Sequence, residues 1–145
     1  MLSLLLLFAS AQATTTPNPC SGSTTIDMND CLSGKLDAAE AELARYTAAA
    51  LVRLRGLAGE AEPSSANAGF PAAFGKAGQA WAAYRDGECD AVYIRWSGGT
   101  IRTAMALRCR LVMTKWRTRT IWSNWLTHMD DTPPILPEPK ADADE

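Results

Sequence analysis

Four cysteines, Cys20, Cys31, Cys89 and Cys109, are the residues of this chain whose type most readily does chemistry. Four thiols can ligate a metal, form a redox pair or close two disulfides. A four-cysteine zinc site usually carries a close Cys-x-x-Cys-type pair, whereas the nearest spacing here is eleven. An even number of cysteines in an exported chain favours two disulfides. Other chemistry is poorly supplied. His128 is the one histidine, and there is no Gly-rich phosphate loop, nucleophile elbow or metal-ligand pair at helical spacing. The Asp and Glu pairs fall on what read as solvated helix faces. The sequence therefore argues against an enzyme and implies no cofactor and no metal.

Export is itself an expectation from the first thirteen residues. "MLSLLLLFASAQA" is an apolar run ending in small residues that fit cleavage after Ala13. Its length suits a secretory signal peptide rather than a span, which needs about 20 apolar residues. No Lys or Arg precedes the run, as one ordinarily does, and no lipoprotein signal precedes Cys20, where "TTTPNPC" stands instead. The expected organisation is a signal peptide over 1–13, one helical domain over 14–129 and an acidic, Pro-rich disordered tail over 130–145. A periplasmic or secreted protein without stable membrane insertion follows.

The elements that must position the cysteines are helices. Thr24 or Thr25 can cap the first, with Asp27 or Asp30 in its first turn. Met28, Leu32, Leu36, Ala39, Leu43, Tyr46, Ala50, Leu54 and Leu57 recur every three or four residues, a helical stripe of about eight turns that stops near Gly56 to Gly59. "EAEPSSANAGFP" is a connection. The second helix starts near Pro71, with Phe70, Phe74, Ala77, Trp81, Tyr84 and Val92 on one side. Gly75, Gly78 and Gly87 weaken it and would permit close approach by a neighbour. Ser97-Gly98-Gly99 ends it. The third helix begins around Thr100, with Met105, Cys109, Val112 and Trp116 on its apolar line. No period-two alternation suggests a sheet, so the fold class is all-α, a small three-helix antiparallel bundle. Folding the second and third helices about Gly98-Gly99 brings Cys89 and Cys109 to the same height at ~1.5 Å per residue. Their disulfide is a staple, which leaves Cys20 to pair with Cys31.

Arg85 and Glu88 flank the line through Trp81 and Val92, and a guanidinium near a core must find carboxylate or carbonyl partners. Arg85 with Asp86 and Glu88 fits either a polar cluster that docks the first helix or a ligand-recognition site. Trp81 and Trp116 read as core residues, Trp122 and Trp125 as an exposed aromatic end.

Together "TTIDMNDC", the helix "LDAAEAELARYTAAALVRL", "QAWAAYRDGEC", a Gly-Gly turn and a final Cys resemble the LprI-type lysozyme-inhibitor N-terminal domain. The match runs from about Cys20 to Trp125 and includes Met28, Asn29, Cys31, Trp81, Tyr84, Arg85, Asp86, Cys89, Gly98, Gly99 and Cys109. The resemblance implies a small helical exported domain of bacterial envelopes, credited in some members with inhibiting lysozyme. It supplies no inhibitory residue, because the shared positions read mostly as scaffold.

Charge suggests where a partner would meet the chain. The net charge is −2, with 14 basic and 16 acidic residues. Residues 91–129 carry seven bases and no acid, a stripe that reads as a solvated helix face rather than a nucleic-acid site. Acids gather on the first helix and in the tail. Lysozymes are often basic, and an acidic surface speeds and orients their docking, which makes Asp37, Glu40 and Glu42 the candidate binding surface. The expected partner is lysozyme or, alternatively, another envelope protein of unknown identity.

Overall fold

A computed structural model describes residues 20, 22, 24–62 and 64–140. The expected signal peptide, residues 1–13, lies outside the described residues, as do residues 141–145. Helix α1 spans Thr25–Gly59, α2 Phe70–Arg95 and α3 Arg102–Ile121. A 3₁₀ turn at Ala66–Gly69 leads into α2, and a π-helical turn at Trp122–Leu126 extends α3. There is no strand among the described residues.

Helix α1 begins where a capping box satisfies its free amide groups. Asp27 N donates to Thr24 Oγ1 at 3.1 Å, and Thr24 N donates back to Asp27 Oδ2 at 3.2 Å. At about 1.5 Å per residue its 35 residues make it the long axis of the molecule. The expected stripe is largely its buried face: Leu32, Leu36, Ala39, Tyr46, Ala50 and Leu54 are all buried, while Leu57 at the fraying end is exposed.

Two apolar clusters are strung along α1. Near its start, Leu32, Leu36 and Ala39 pack with Cys20, Ala104 and Leu111. Further along, Tyr46, Ala50 and Leu54 pack with Phe74, Ile121 and Leu126. The early parts of α1 and α3 thus share one cluster and their late parts the other, so these helices run in the same direction with α2 antiparallel to both.

The inner faces of α2 and α3 differ from expectation. Ala77 is exposed, and Tyr84 is 62% exposed. The line turned inward on α2 is Phe74, Gly78, Trp81, Arg85, Cys89 and Val92. A polar Arg85 replaces Tyr84 on that line because the seam beneath it contains hydrogen-bonding groups. On α3 the buried residues are Ala104, Ala106, Leu111, Thr114, Thr118 and Ile121, while Val112 and Trp116 face solvent. This helix packs against both others, so its inner side is built from small and hydroxyl-bearing residues rather than its largest apolar ones. At Gly75, Gly78 and Gly87 an added Cβ would meet no atom within 4 Å. Close approach, the role expected for these glycines, does not operate there.

The tail also departs from expectation over residues 130–140. The backbone is irregular but held against the bundle as a strap. Ile135 N donates to Leu126 O at 2.8 Å, Trp122 Nε1 to Leu136 O at 3.0 Å and Tyr46 Oη to Pro137 O at 2.7 Å. Leu136 packs on the second cluster. Low-complexity composition pointed to disorder, but prolines limit the entropy lost on docking and leave carbonyls free to accept from ring donors.

Candidate functional site

The four cysteines form two disulfides, Cys20–Cys31 and Cys89–Cys109, with sulfur–sulfur distances of 2.04 and 2.08 Å. Both pairs have a Cα separation of 5.6 Å, within the range a disulfide requires. The first ties the lead-in to the second turn of α1. The second joins α2 to α3 across the hairpin turned at Gly98-Gly99, as the equal heights required. Met113 Sδ lies 3.7 Å from Cys89 Sγ and 4.0 Å from Cys109 Sγ, covering the bond. Among the described residues no cluster of three His, Cys, Asp or Glu could hold a metal.

Between the two apolar clusters lies a polar layer centred on Arg85, whose side chain is 15% exposed. Its Nη1 donates to Glu40 Oε1 on α1 at 2.9 Å and to Thr114 Oγ1 on α3 at 3.2 Å. Its Nε donates to Asp86 Oδ1 at 3.1 Å, and its guanidinium lies 5.1 Å over the Trp81 ring. Arg117 approaches the same ring at 5.9 Å, and its burial lowers its pKa from the ordinary guanidinium value. One planar cation therefore bonds to all three helices. Glu88, by contrast, is exposed. Asn29 Oδ1, on the motif face of α1, is buried with no hydrogen-bond partner among the described residues.

The proposed acidic surface is divided. Asp37 is exposed. Glu40 is held by Arg85, and Glu42 lies 3.7 Å from Arg45. Two residues apart on a helix is about 200° of rotation, so Glu40 and Glu42 point to opposite sides of α1. Glu40 faces α2, and Glu42 lines a groove on the other flank. Asp30 and Asp37, two turns apart and both exposed, share the outer face.

That groove, about 1150 Å³, runs between α1, α3 and the strap. Lys35, Arg45, Lys115, Arg119 and Lys140 line it together with the carboxylates Glu42 and Glu138. Glu138 bridges Arg119 at 2.8 Å. Trp116, 65% exposed, lies on its wall rather than in the core. Trp122 and Trp125, expected at an exposed end, instead pack on the second cluster. Trp125 meets Phe70 and Phe74 edge-on at 6.3 and 5.7 Å. The end of α3 needs that cover because Arg53 reaches across from α1 to cap it, Nη1 donating to Trp125 O at 2.8 Å and Thr127 O at 2.7 Å. Periodicity puts Tyr46 on the apolar stripe of α1, but neither its hydroxyl bond nor the Arg53 contacts are legible in the sequence. Their partners lie more than seventy residues away in sequence, and no local signal names such a partner.

No helix among the described residues is long and apolar enough to cross a membrane. No curated protein and no solved structure matches the chain significantly. A protein-family model described as Lysozyme inhibitor LprI matches residues 17–121, from ahead of the first disulfide to the end of α3. With a match over well more than half of its length, the chain belongs to the LprI family of lysozyme inhibitors.

Proposed function

We propose that the protein is exported and acts by binding and inhibiting lysozyme, meeting the enzyme through the outer face of α1. Family membership over residues 17–121 carries the choice of partner. Two disulfides in a small bundle suit an oxidising compartment, and the apolar N-terminal run supports export. The choice of face rests on charge. Asp30 and Asp37 stand exposed on one side of a 35-residue helix, while the groove between α1 and α3 is lined by more cations than carboxylates. Coulomb attraction at such a face raises the association rate more than it slows dissociation, and it is screened beyond about 8–10 Å at physiological salt.

The test is inhibition of a panel of lysozymes in a cell-wall turbidity assay, with association and dissociation rates measured at two salt concentrations. Asp30→Lys with Asp37→Lys should weaken inhibition several-fold through slower association, with an unchanged melting temperature. Glu40 is left intact, because its loss would break the Arg85 contact and confuse folding with binding. Full inhibition by the double variant, or association that quickens with salt, would exclude this face. Absence of inhibition across the panel, with another protein recovered from envelope extract, would turn the assignment to an interaction module for that partner.

A further inference from the structure

The tip of the hairpin between α2 and α3 has no part in the contact proposed for the α1 face. We infer that it is a peripheral docking surface for a lipid bilayer with anionic headgroups, an inference that rests on the export part of that reading and not on the choice of lysozyme. The end of α2 and its cap read Tyr93-Ile94-Arg95-Trp96. Ile94 is 69% exposed, Trp96 is 40% exposed, and Tyr93 is open to water as well. Consecutive helical residues are about 100° apart, so these apolar side chains point to different sides of the helix end and form a ring rather than a stripe. Packing on α3 accounts for one side of the ring, where Arg102 stands 5.2 Å over the Tyr93 ring, and leaves Ile94 in water. A partner helix lying alongside is met by a stripe. An apolar ring suits a medium that receives the helix end-on.

Charge and the direction of the chain choose that medium. Arg95 and Arg102 are both exposed at the tip, and no acid occurs from Ala91 to Met129. Of the acids nearby, Asp90 pairs with Arg110 at 2.7 Å and Asp27 is engaged in the α1 capping box, while Asp30 lies further along the outer face of α1. Tyr and Trp rings favour the headgroup level of a bilayer, and basic side chains beside them meet anionic headgroups. Met28 of α1 and Ile101 of α3 pack on the same apolar cluster, which sets the start of α1 beside the tip. Cys20 is buried in that cluster too, so the lead-in joins the bundle at this end. Only residues 14–19 separate it from the apolar run over 1–13, a reach of at most about 20 Å. Until it is cleaved, a run seated in the export membrane keeps this end of the bundle, and not the opposite one, close to lipid.

The experiment uses the chain from Thr14 onward, because the run over 1–13 would enter vesicles by itself; both disulfides and both apolar clusters are retained. Binding is measured by co-sedimentation with vesicles of phosphatidylglycerol and phosphatidylethanolamine, and with vesicles of phosphatidylcholine alone, at two salt concentrations. No lysozyme is present, so the outcome is separate from that of the inhibition assay. The anionic vesicles should bind about tenfold more tightly than the neutral ones, and less so at the higher salt. Arg95→Gln with Arg102→Gln should weaken anionic binding about tenfold, and Ile94→Ser about threefold, each with helical circular dichroism unchanged. Equal binding to the two kinds of vesicle, or anionic binding indifferent to either variant, would overturn the inference. A dimer in sedimentation that Ile94→Ser dissolves would also overturn it, by assigning the apolar ring to a second copy of the chain.

Discussion

Arg85 shows how one side chain can set the mutual placement of three helices. Its partners Glu40 and Asp86 are roughly half exposed, so their attraction is screened and removing the guanidinium strands no fully buried carboxylate. The larger cost is at Thr114, which is fully buried and whose hydroxyl would lose its contact with the guanidinium, and at the face of Trp81. Arg85→Ala should therefore lower unfolding stability by about 1–3 kcal/mol, measured by urea denaturation. Arg85→Lys keeps the charge but cannot bond to Glu40, Thr114 and Asp86 at once, so it should recover less than half of the loss. Full recovery by Lys would mean that charge alone matters and that the multiple bonding is incidental.

At the scale of elements, α2 is the weakest part by composition, and it buries only Phe74 and Cys89. Glycines at 75, 78 and 87 each lower helix propensity by about 1 kcal/mol relative to alanine, yet none has a positive φ and none is needed for close packing. The helix persists because Phe74 is buried at one end, Arg85 is bonded at the middle and Cys89 is fixed to α3 near the other. Gly75→Ala and Gly87→Ala should each raise stability by about 0.5–1 kcal/mol, read as a higher melting temperature. Destabilisation by either change would reveal a packing demand that open space at those positions does not suggest. The disulfide between α2 and α3 closes a 20-residue separation, and such a loop typically contributes about 2–4 kcal/mol.

For the whole molecule, the strap over 130–140 ties the segment that follows α3 to the middle of α1. Its bond from Tyr46 links a fully buried ring to Pro137. Burial, reinforced by the Glu42 carboxylate, raises the Tyr46 pKa above the usual 10, with Arg45 opposing. Below pH 10 the phenol is neutral in both folded and unfolded chains, and its contribution is complete. As pH rises past 10 the unfolded chain ionises first, so stability falls until the raised folded value is passed. Tyr46→Phe should cost about 1 kcal/mol at pH 7, and the gap to wild type should narrow at pH 11, since only the wild type carries this titration. A gap that is constant from pH 7 to pH 11, measured by urea unfolding, would contradict the assignment. Loss of the bond should also loosen residues 135–137, seen as faster amide exchange at Ile135.

Periodicity and local chemistry were enough to place α1 with its cap at Thr24 or Thr25, the start of α2 beside Pro71, the Gly98-Gly99 hairpin and the pairing of Cys89 with Cys109. All of these depend on residues near one another in sequence or on simple helical rise. The Met28-Asn29-x-Cys31 and Trp81-x-x-Tyr84-Arg85-Asp86-x-x-Cys89 motifs carried the family for the same reason. Which tryptophans are buried was not legible, because Trp116 and Trp122 are equally apolar and only the position of α1, α2 and the strap decides which is covered. Nor was the split of the acidic set, since the sequence shows Glu40 close to Glu42 while packing sends one to Arg85 and the other to the groove. The docking of the Pro-rich segment depended on donors from Tyr46 and Trp122, one of them ninety-one residues away. Local sequence sets helix, cap and turn through short-range geometry. Tertiary structure alone decided which faces are core, which charges are spent on one another and which remain for a partner, because those outcomes depend on what distant segments bring into contact.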